Sequence, residues 1–219
     1  MKSRTKYSQL AYWHQPIDQK IDQQKTEHDW KDGDIAFLKD ANEFTRDEYN
    51  DLIRSGYLHF KATKHPVIIL EHSNDHKHFL ITTVSAYSSG RENNYLPPWK
   101  QFHHKCKPRE AFRAFSGSAK PSYHQNYLQI ADGGSFPKPE TSWVYMPATF
   151  VVPSSALKEF DKTPERLRMT KESLDDLLYD MAKNARFATR WTNPHVLRLL
   201  RSKAPQNQKC WQNYNRWGP

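Results

Sequence analysis

The sequence predicts an α+β fold: a small β-barrel with an inserted helix and with helices at its C-terminal end. Three apolar runs carry this prediction, at residues 33–38, 65–70 and 79–86. Each run is about one strand long and is rich in the β-branched and aromatic residues that suit a buried, pleated surface. A turn at residues 74–75 separates the second run from the third, which predicts a hairpin within a meander.

The first helix is expected between the first two strands. Thr45 and Glu48 have the spacing of a capping box, in which each side chain binds the backbone N–H of the other residue. Gly56 suits the end of this helix because glycine tolerates the left-handed conformation found there. A later strand is expected over residues 142–152, where Pro147 indicates an edge or a bend.

Two more helices are expected towards the C-terminus. Thr170 can cap a helix whose leucines recur at helical spacing, and acidic residues in its first turn suit the positive end of the helix dipole. Asn193 followed by Pro194 is typical of a helix start, so a second helix is predicted to run to about residue 202.

Length and composition predict one main domain with polar extensions. The chain has 219 residues, 37% of them hydrophobic, and a mean hydropathy of −0.95, which suits a moderate core. We expect a polar N-terminal arm (1–30), a barrel domain (31–190) with a long insertion (88–140), and a basic C-terminal helix and tail (191–219).

The sequence also indicates a location in the cell. Its apolar runs are all much shorter than the roughly 20 residues of a membrane helix, and residues 1–13 lack the apolar stretch of a signal peptide. Its two cysteines do not make a disulfide framework. We therefore expect an intracellular protein, cytoplasmic or nuclear, that does not bind membranes.

The charge distribution predicts a nucleic-acid partner. The net charge is +9, and residues 98–124 contain six Lys or Arg but a single acidic residue. Aromatic residues are interleaved with these cations, and single-stranded nucleic acid is bound by such a combination because cations neutralise phosphates while rings stack on bases. The residues predicted to bind the strand are Lys105, Arg109, Arg113, Arg91 and Trp99.

A resemblance to a known family adds to these expectations. Five segments, in this order along the chain, resemble the MazF/PemK-type toxins. They are the Gly-Asp-Ile start of the first strand, the His-Pro-Val-Ile-Ile-Leu run, the Val-Ser-Ala strand end, the Thr-Phe-Val-Val-Pro segment and the acid-rich helix after residues 166–170. The similarity spans residues 31–86 and 142–183. It implies an SH3-like barrel that cleaves single-stranded RNA, a homodimer and an antitoxin-like protein partner.

The resemblance also implies a catalytic site. The family uses an Arg just before the Pro-Val strand and a Thr at the end of the next strand. In this chain His65, with Lys64 beside it, stands at the first position, and Ser85 stands at the second. A histidine can exchange protons near neutral pH, a lysine can neutralise phosphate, and a serine can hydrogen-bond a phosphate oxygen. Cleavage by these groups needs neither metal nor cofactor.

Other functions, without catalysis or with a bound metal, also fit the same sequence. The chain could be a non-catalytic nucleic-acid-binding or protein-interaction module on the same barrel, including an adaptor that binds a peptide in its groove. Two histidine-rich segments, at residues 72–78 and 103–106, could bind a metal. Residues 72–78 are more simply explained as a solvated turn, because turns collect polar residues. Residues 103–106 lack a complete ligand set, so no metal site is predicted.

Overall fold

The computed structural model describes residues 29–73 and 75–183. Nearly all of the predicted arm, the predicted helix that starts at Asn193, the tail and Cys210 lie outside the described residues. Six strands form one antiparallel sheet in the order β4-β5-β3-β2-β1-β6. They are β1 (Ile35–Leu38), β2 (Pro66–His72), β3 (His78–Ser85), β4 (Phe112–Ala114), β5 (Trp143–Pro153) and β6 (Leu157–Glu159).

The predicted α+β class is confirmed. The three apolar runs are β1, β2 and β3, and β2 and β3 form the predicted hairpin. Strands β4 and β6 are the two edges of the sheet, so among the described residues the sheet is open and is not closed into a barrel.

Both faces of the sheet are covered, because successive side chains of a strand point to opposite faces. In β2, Ile68 and Leu70 belong to one apolar cluster, while Val67 and Ile69 belong to a second cluster on the other face. The first cluster includes the apolar side of the C-terminal helix, and the second includes the helical segment that follows β1. Burial on both faces explains why these strands have continuous apolar sequences.

The helices begin where their capping residues predict. Helix α1 (Arg46–Glu48) continues as a π-helical segment (Tyr49–Arg54). Its capping box is formed, with the Thr45 N–H donating to Glu48 at 2.7 Å and the Glu48 N–H donating to Thr45 at 3.2 Å. Helix α2 (Lys171–Lys183) starts after Thr170, whose hydroxyl accepts from the Ser173 N–H at 3.2 Å.

Strand β5 runs through Pro147, where a bend or an edge is predicted. Its pairing with β3 shifts between Thr82, which lies opposite Thr149, and Val84, which lies opposite Val144. Pro147 lies in the resulting irregularity, where its lack of an N–H costs no sheet hydrogen bond. The bulge therefore lets one 11-residue strand accommodate a proline between two paired segments.

The insertion folds mainly as single 3₁₀ turns around one short strand. Residues 109–111 form one such turn, and the next three residues form β4, which the sequence pattern does not indicate. Residues 127–130 make isolated bridges, through Leu128 to Phe115 and through Ile130 to Met169.

The described residues contain neither a membrane-spanning helix nor a metal-binding cluster. None of the helices in residues 29–73 and 75–183 is long and apolar enough to cross a membrane. Within the same residues, three or more His, Cys, Asp or Glu side chains nowhere gather in a way that could hold a metal ion. His72 and His76 stack on each other with ring centroids 4.3 Å apart.

Acidification is expected to destabilise the protein partly through His78, at the start of β3. Burial lowers the pKa of His78, Asp75 opposes this shift and Lys77 adds to it. The unfolded chain therefore binds the proton more readily, and the free energy of unfolding falls as the pH drops through about 6.5 towards the folded pKa. Urea unfolding at pH 7 and pH 5 should show a larger loss for the parent than for His78→Leu. Equal losses would contradict this assignment.

Candidate functional site

A cleft of about 270 Å³ lies at the end of the sheet where β2 begins and β3 ends. Strand pairing explains its position. Val67 of β2 lies opposite Thr83 of β3, and two further steps in the same antiparallel register bring His65 opposite Ser85. Lys64, His65 and Ser85 all line the cleft. The structure therefore brings together the three residues that the resemblance assigns to catalysis.

His65 is half-buried and has a defined orientation. Its Nδ1 lies 2.8 Å from the backbone carbonyl oxygen of Thr63. A carbonyl oxygen only accepts hydrogen bonds, so Nδ1 carries a proton and donates it. In the neutral ring Nε2 is then the unprotonated nitrogen, free to accept a proton from a bound molecule. Hydrogen bonds between Leu38 and the backbone of Lys64 and His65, both 3.0 Å long, fix this segment to β1.

Lys64 is exposed and is held by an acidic neighbour. Its Nζ lies 2.6 Å from an Asp40 carboxylate oxygen. The Lys64 ammonium holds the pKa of the Asp40 carboxyl below its usual value, chiefly through this hydrogen bond. The carboxylate partly neutralises the charge that Lys64 can offer to an anion in the cleft.

Ser85 and Tyr87 form the opposite side of the cleft. The Ser85 hydroxyl accepts a hydrogen bond of 3.2 Å from the Tyr87 backbone N–H, so the hydroxyl proton is available to another acceptor. The Tyr87 ring meets Phe112 edge-on, with ring centroids 5.5 Å apart. Burial, with a smaller effect of Tyr145, raises the pKa of Tyr87. Its phenol therefore stays protonated at neutral pH.

Further lining residues come from segments that the sequence patterns do not connect with the cleft. Lys138, in the insertion, and Lys162, after β6, add two more cations. Phe37, Phe136 and Phe160 form an apolar wall, with Phe160 stacked on Phe37 at 6.1 Å and tilted against Phe136 at 6.2 Å. Apart from Phe37, which belongs to β1, these residues lie in loops and have no sequence periodicity that would place them at the strand ends.

The backbone around the cleft is strained. Seven non-glycine residues have positive φ angles in the part of the chain that the structure describes, and three of them line the cleft. They are Lys64 at 61°, Tyr87 at 52° and Ser88 at 59°. This conformation costs about 1–2 kcal/mol per residue, and such costs are concentrated at binding and catalytic sites.

The residues predicted to bind the strand lie outside the cleft. Arg109 and Trp99 lie together in the insertion, with the guanidinium 5.8 Å from the indole ring centre. Lys105 lies 4.4 Å from the ring centre of its neighbour Phe102. Arg91 is exposed at the start of a 3₁₀ turn.

The prediction that Arg113 binds the strand is wrong. Arg113 is fully buried in β4. Its guanidinium donates to Asp176 at 2.6 Å, to Asp180, and to the Asn126 carbonyl oxygen at 3.1 Å. A cation enclosed by two carboxylates cannot reach a phosphate, so Arg113 has a structural role.

Neutralising Asp40 is expected to strengthen anion binding in the cleft. Asp40→Asn removes the carboxylate that competes for Lys64, and the pair is exposed, so its removal is expected to have a modest effect. The dissociation constant for single-stranded RNA should fall by about 1.4- to 5-fold, measured by fluorescence anisotropy in EDTA. Glu43→Gln, which frees Lys158 outside the cleft, is the matched control. Equal gains from both substitutions would show a general effect of net charge.

Comparisons with known proteins add no further assignment. No protein-family model matches the chain, and neither a curated protein nor a solved structure does.

Proposed function

We propose that this protein binds single-stranded RNA in the cleft and cleaves it without a metal, on an SH3-like frame related to the MazF/PemK-type toxins. One observation carries the proposal: Lys64, His65 and Ser85 line one cleft, and no carboxylate is among the residues that line it in the described part of the chain. Such a site combines a proton acceptor, a hydroxyl donor and cations, which are the groups that phosphodiester cleavage needs.

The strand order supports the proposed frame. In the sheet, β1 lies beside β2, β2 beside β3, and β3 beside β5. A 3₁₀ turn (Ser154–Ala156) follows β5, and β6 then returns to pair with the first strand. An SH3-like barrel is a short, bent meander whose last strand returns beside its first in this way. The cleft lies at one end of the meander, at the positions where the resemblance expects the catalytic residues.

The proposed reaction begins at the ribose 2′-hydroxyl. His65 Nε2 takes the hydroxyl proton, and the 2′ oxygen attacks the adjacent phosphorus. The bond from phosphorus to the 5′ oxygen breaks, and that oxygen leaves with a proton from a water molecule. The hydroxide so formed takes the proton that His65 Nε2 holds, which restores the neutral base. The products are a 2′,3′-cyclic phosphate and a 5′-hydroxyl. The Thr63 carbonyl stabilises the imidazolium formed at His65, because its Nδ1–H bond persists in both protonation states.

The cations and Ser85 stabilise the negative charge that builds up on the phosphate oxygens. Lys64 lies beside His65 in sequence, and Lys138 and Lys162 line the same cleft. Ser85 can donate its hydroxyl proton to a phosphate oxygen, because its hydroxyl oxygen already accepts from the Tyr87 backbone N–H. Preorganised donors of this kind lower the barrier because they do not have to reorient during the reaction.

The test is cleavage of a mixed-sequence single-stranded RNA in EDTA, with the product ends analysed by mass spectrometry. The proposal expects 2′,3′-cyclic phosphate ends and no cleavage of 2′-O-methyl RNA, which lacks the attacking hydroxyl. Intact ordinary RNA after prolonged incubation, or cleavage of both RNAs alike, would contradict the proposal.

A non-catalytic RNA-binding protein is the second candidate. The Asp40–Lys64 ion pair favours it, because a catalytic cation is more effective without a competing carboxylate. This candidate expects saturable binding of ordinary and 2′-O-methyl RNA with no turnover. The same cleavage assay therefore separates the two candidates.

A further inference from the structure

A second basic surface lies in the insertion, away from the residues that line the cleft. We call it the insertion groove; it is a depression of about 460 Å³. Lys100, Arg109 and Lys120 line it, and none of the lining residues that the structure describes is acidic. Lys100 and Arg109 are exposed, and Lys120 is half-buried. Three cations without a carboxylate partner in the lining attract a polyanion.

Aromatic rings contact two of these three cations. Trp99 lies under Arg109, and Tyr127 lies 4.3 Å from the Lys120 ammonium, measured to the ring centre. Tyr123 is 94% exposed and also lines the groove. An aromatic side chain so exposed gains nothing from the protein core, whereas its face is available for a base to stack on it.

The insertion groove and the cleft share one rigid support. Trp99 packs on Phe112 at 5.6 Å and on Trp143 at 6.2 Å. Phe112 in turn contacts Tyr87, which lines the cleft. One aromatic cluster around Phe112 and Trp143 thus contacts Trp99 of the groove and Tyr87 of the cleft. These shared contacts fix the position of the groove relative to the cleft.

We infer that the insertion groove is a second binding site for single-stranded RNA, which holds nucleotides flanking those in the cleft by phosphate neutralisation and by stacking of a base on Tyr123. The inference rests on the proposed function for the identity of its ligand, although it requires only binding and no cleavage. It explains why the insertion interleaves cations with aromatic residues although few of them reach the cleft.

The experiment measures binding of a fluorescein-labelled 2′-O-methyl RNA of about 12 nucleotides, a length within the range of such sites. Anisotropy titrations at several salt concentrations compare the parent with a groove variant, Lys100→Gln/Arg109→Gln/Lys120→Gln. Loss of three phosphate contacts should reduce the slope of log K against log salt by about 2, since each contact to a single strand contributes about 0.7. The matched control is Arg54→Gln/Lys61→Gln/Lys77→Gln, which changes the net charge equally and should retain the slope.

Substitutions of Tyr123 test the stacking contact separately from the charges. Tyr123→Ala should weaken binding by about 5- to 150-fold, the loss of one stacked base, whereas Tyr123→Phe should bind like the parent. A duplex of the same sequence should bind less tightly than the single strand, since its bases are already stacked. If polyglutamate competes as well as RNA and Tyr123→Ala has no effect, the groove binds acidic peptides instead and the inference is wrong.

The outcomes for the groove and for the cleft are distinguishable. RNA cleavage with parent-like binding by the groove variants would overturn the inference and leave the proposed function intact. Groove-dependent binding without cleavage would support the inference and refute the catalytic proposal. Absence of RNA binding by the parent would overturn both.

Discussion

Replacing His65 by alanine is expected to lower the rate of RNA cleavage by about 10²- to 10⁴-fold, the usual contribution of a positioned general base. We propose this role for His65 because the Thr63 carbonyl fixes its Nδ1 as a donor and leaves Nε2 to accept a proton. Among residues 29–73 and 75–183, His65 is the only histidine that lines the cleft. The measurement is the single-turnover rate in EDTA with saturating protein.

Controls separate a catalytic role of His65 from a structural one. His65→Ala should bind 2′-O-methyl RNA with nearly the parent affinity, since phosphate contacts are left to the lysines, and added imidazole should restore part of the activity. Ser85→Ala should lose less activity than His65→Ala, since it removes one hydrogen bond. Cleavage by His65→Ala at the parent rate would refute the assigned base.

Replacing Arg113 by alanine is expected to destabilise the fold by about 3–5 kcal/mol, the cost of removing one partner from a buried ion pair. Its guanidinium connects β4 to Asp176 and Asp180, which lie one helical turn apart on α2. Its loss leaves a cavity and two carboxylates close to each other. The measurement is the free energy of unfolding in urea at neutral pH.

A compensating variant tests this account of Arg113. Arg113→Met keeps much of the buried aliphatic stem, so it should cost less than Arg113→Ala. Adding Asp176→Asn and Asp180→Asn to Arg113→Met should recover part of the lost stability, because the carboxylates then no longer repel each other. A loss below about 1 kcal/mol for Arg113→Ala, a value typical of exposed pairs, would contradict the buried pair.

The central strands could be predicted because their signals are local. The runs around Ile35, Val67 and Ile81 are apolar on both faces of a sheet that is covered on both sides. The caps at Thr45 and Thr170 were predictable for the same reason, since a cap depends on residues three positions apart. Strand β4 was not, because three residues at a sheet edge have no detectable period.

The cleft was predictable only where it coincides with strand ends. A hairpin register relates His65 to Ser85, so the sequence indicates that they lie close together. Lys138 and Lys162 reach the cleft from loops, and a loop's path depends on tertiary packing. Their contribution could not be inferred from spacing.

Arg113 shows why counting charges is insufficient. Its sequence neighbours suggest a basic surface, but its carboxylate partners lie 63 and 67 positions later in the chain. An i, i+4 pair of aspartates on a helix has the geometry to enclose one guanidinium. The spacing of Asp176 and Asp180 is visible in the sequence, whereas only the fold shows that Arg113 is the cation between them.

The most direct measurement of the central claim is an NMR titration of the labelled protein with 2′-O-methyl RNA, which binds but cannot react. The account predicts that the amide signals of Lys64 and His65, and those of residues 85–88, shift and saturate with the RNA. Unchanged signals at all of these positions, under conditions where the RNA is bound, would show that the cleft is not the site and would contradict the proposed function.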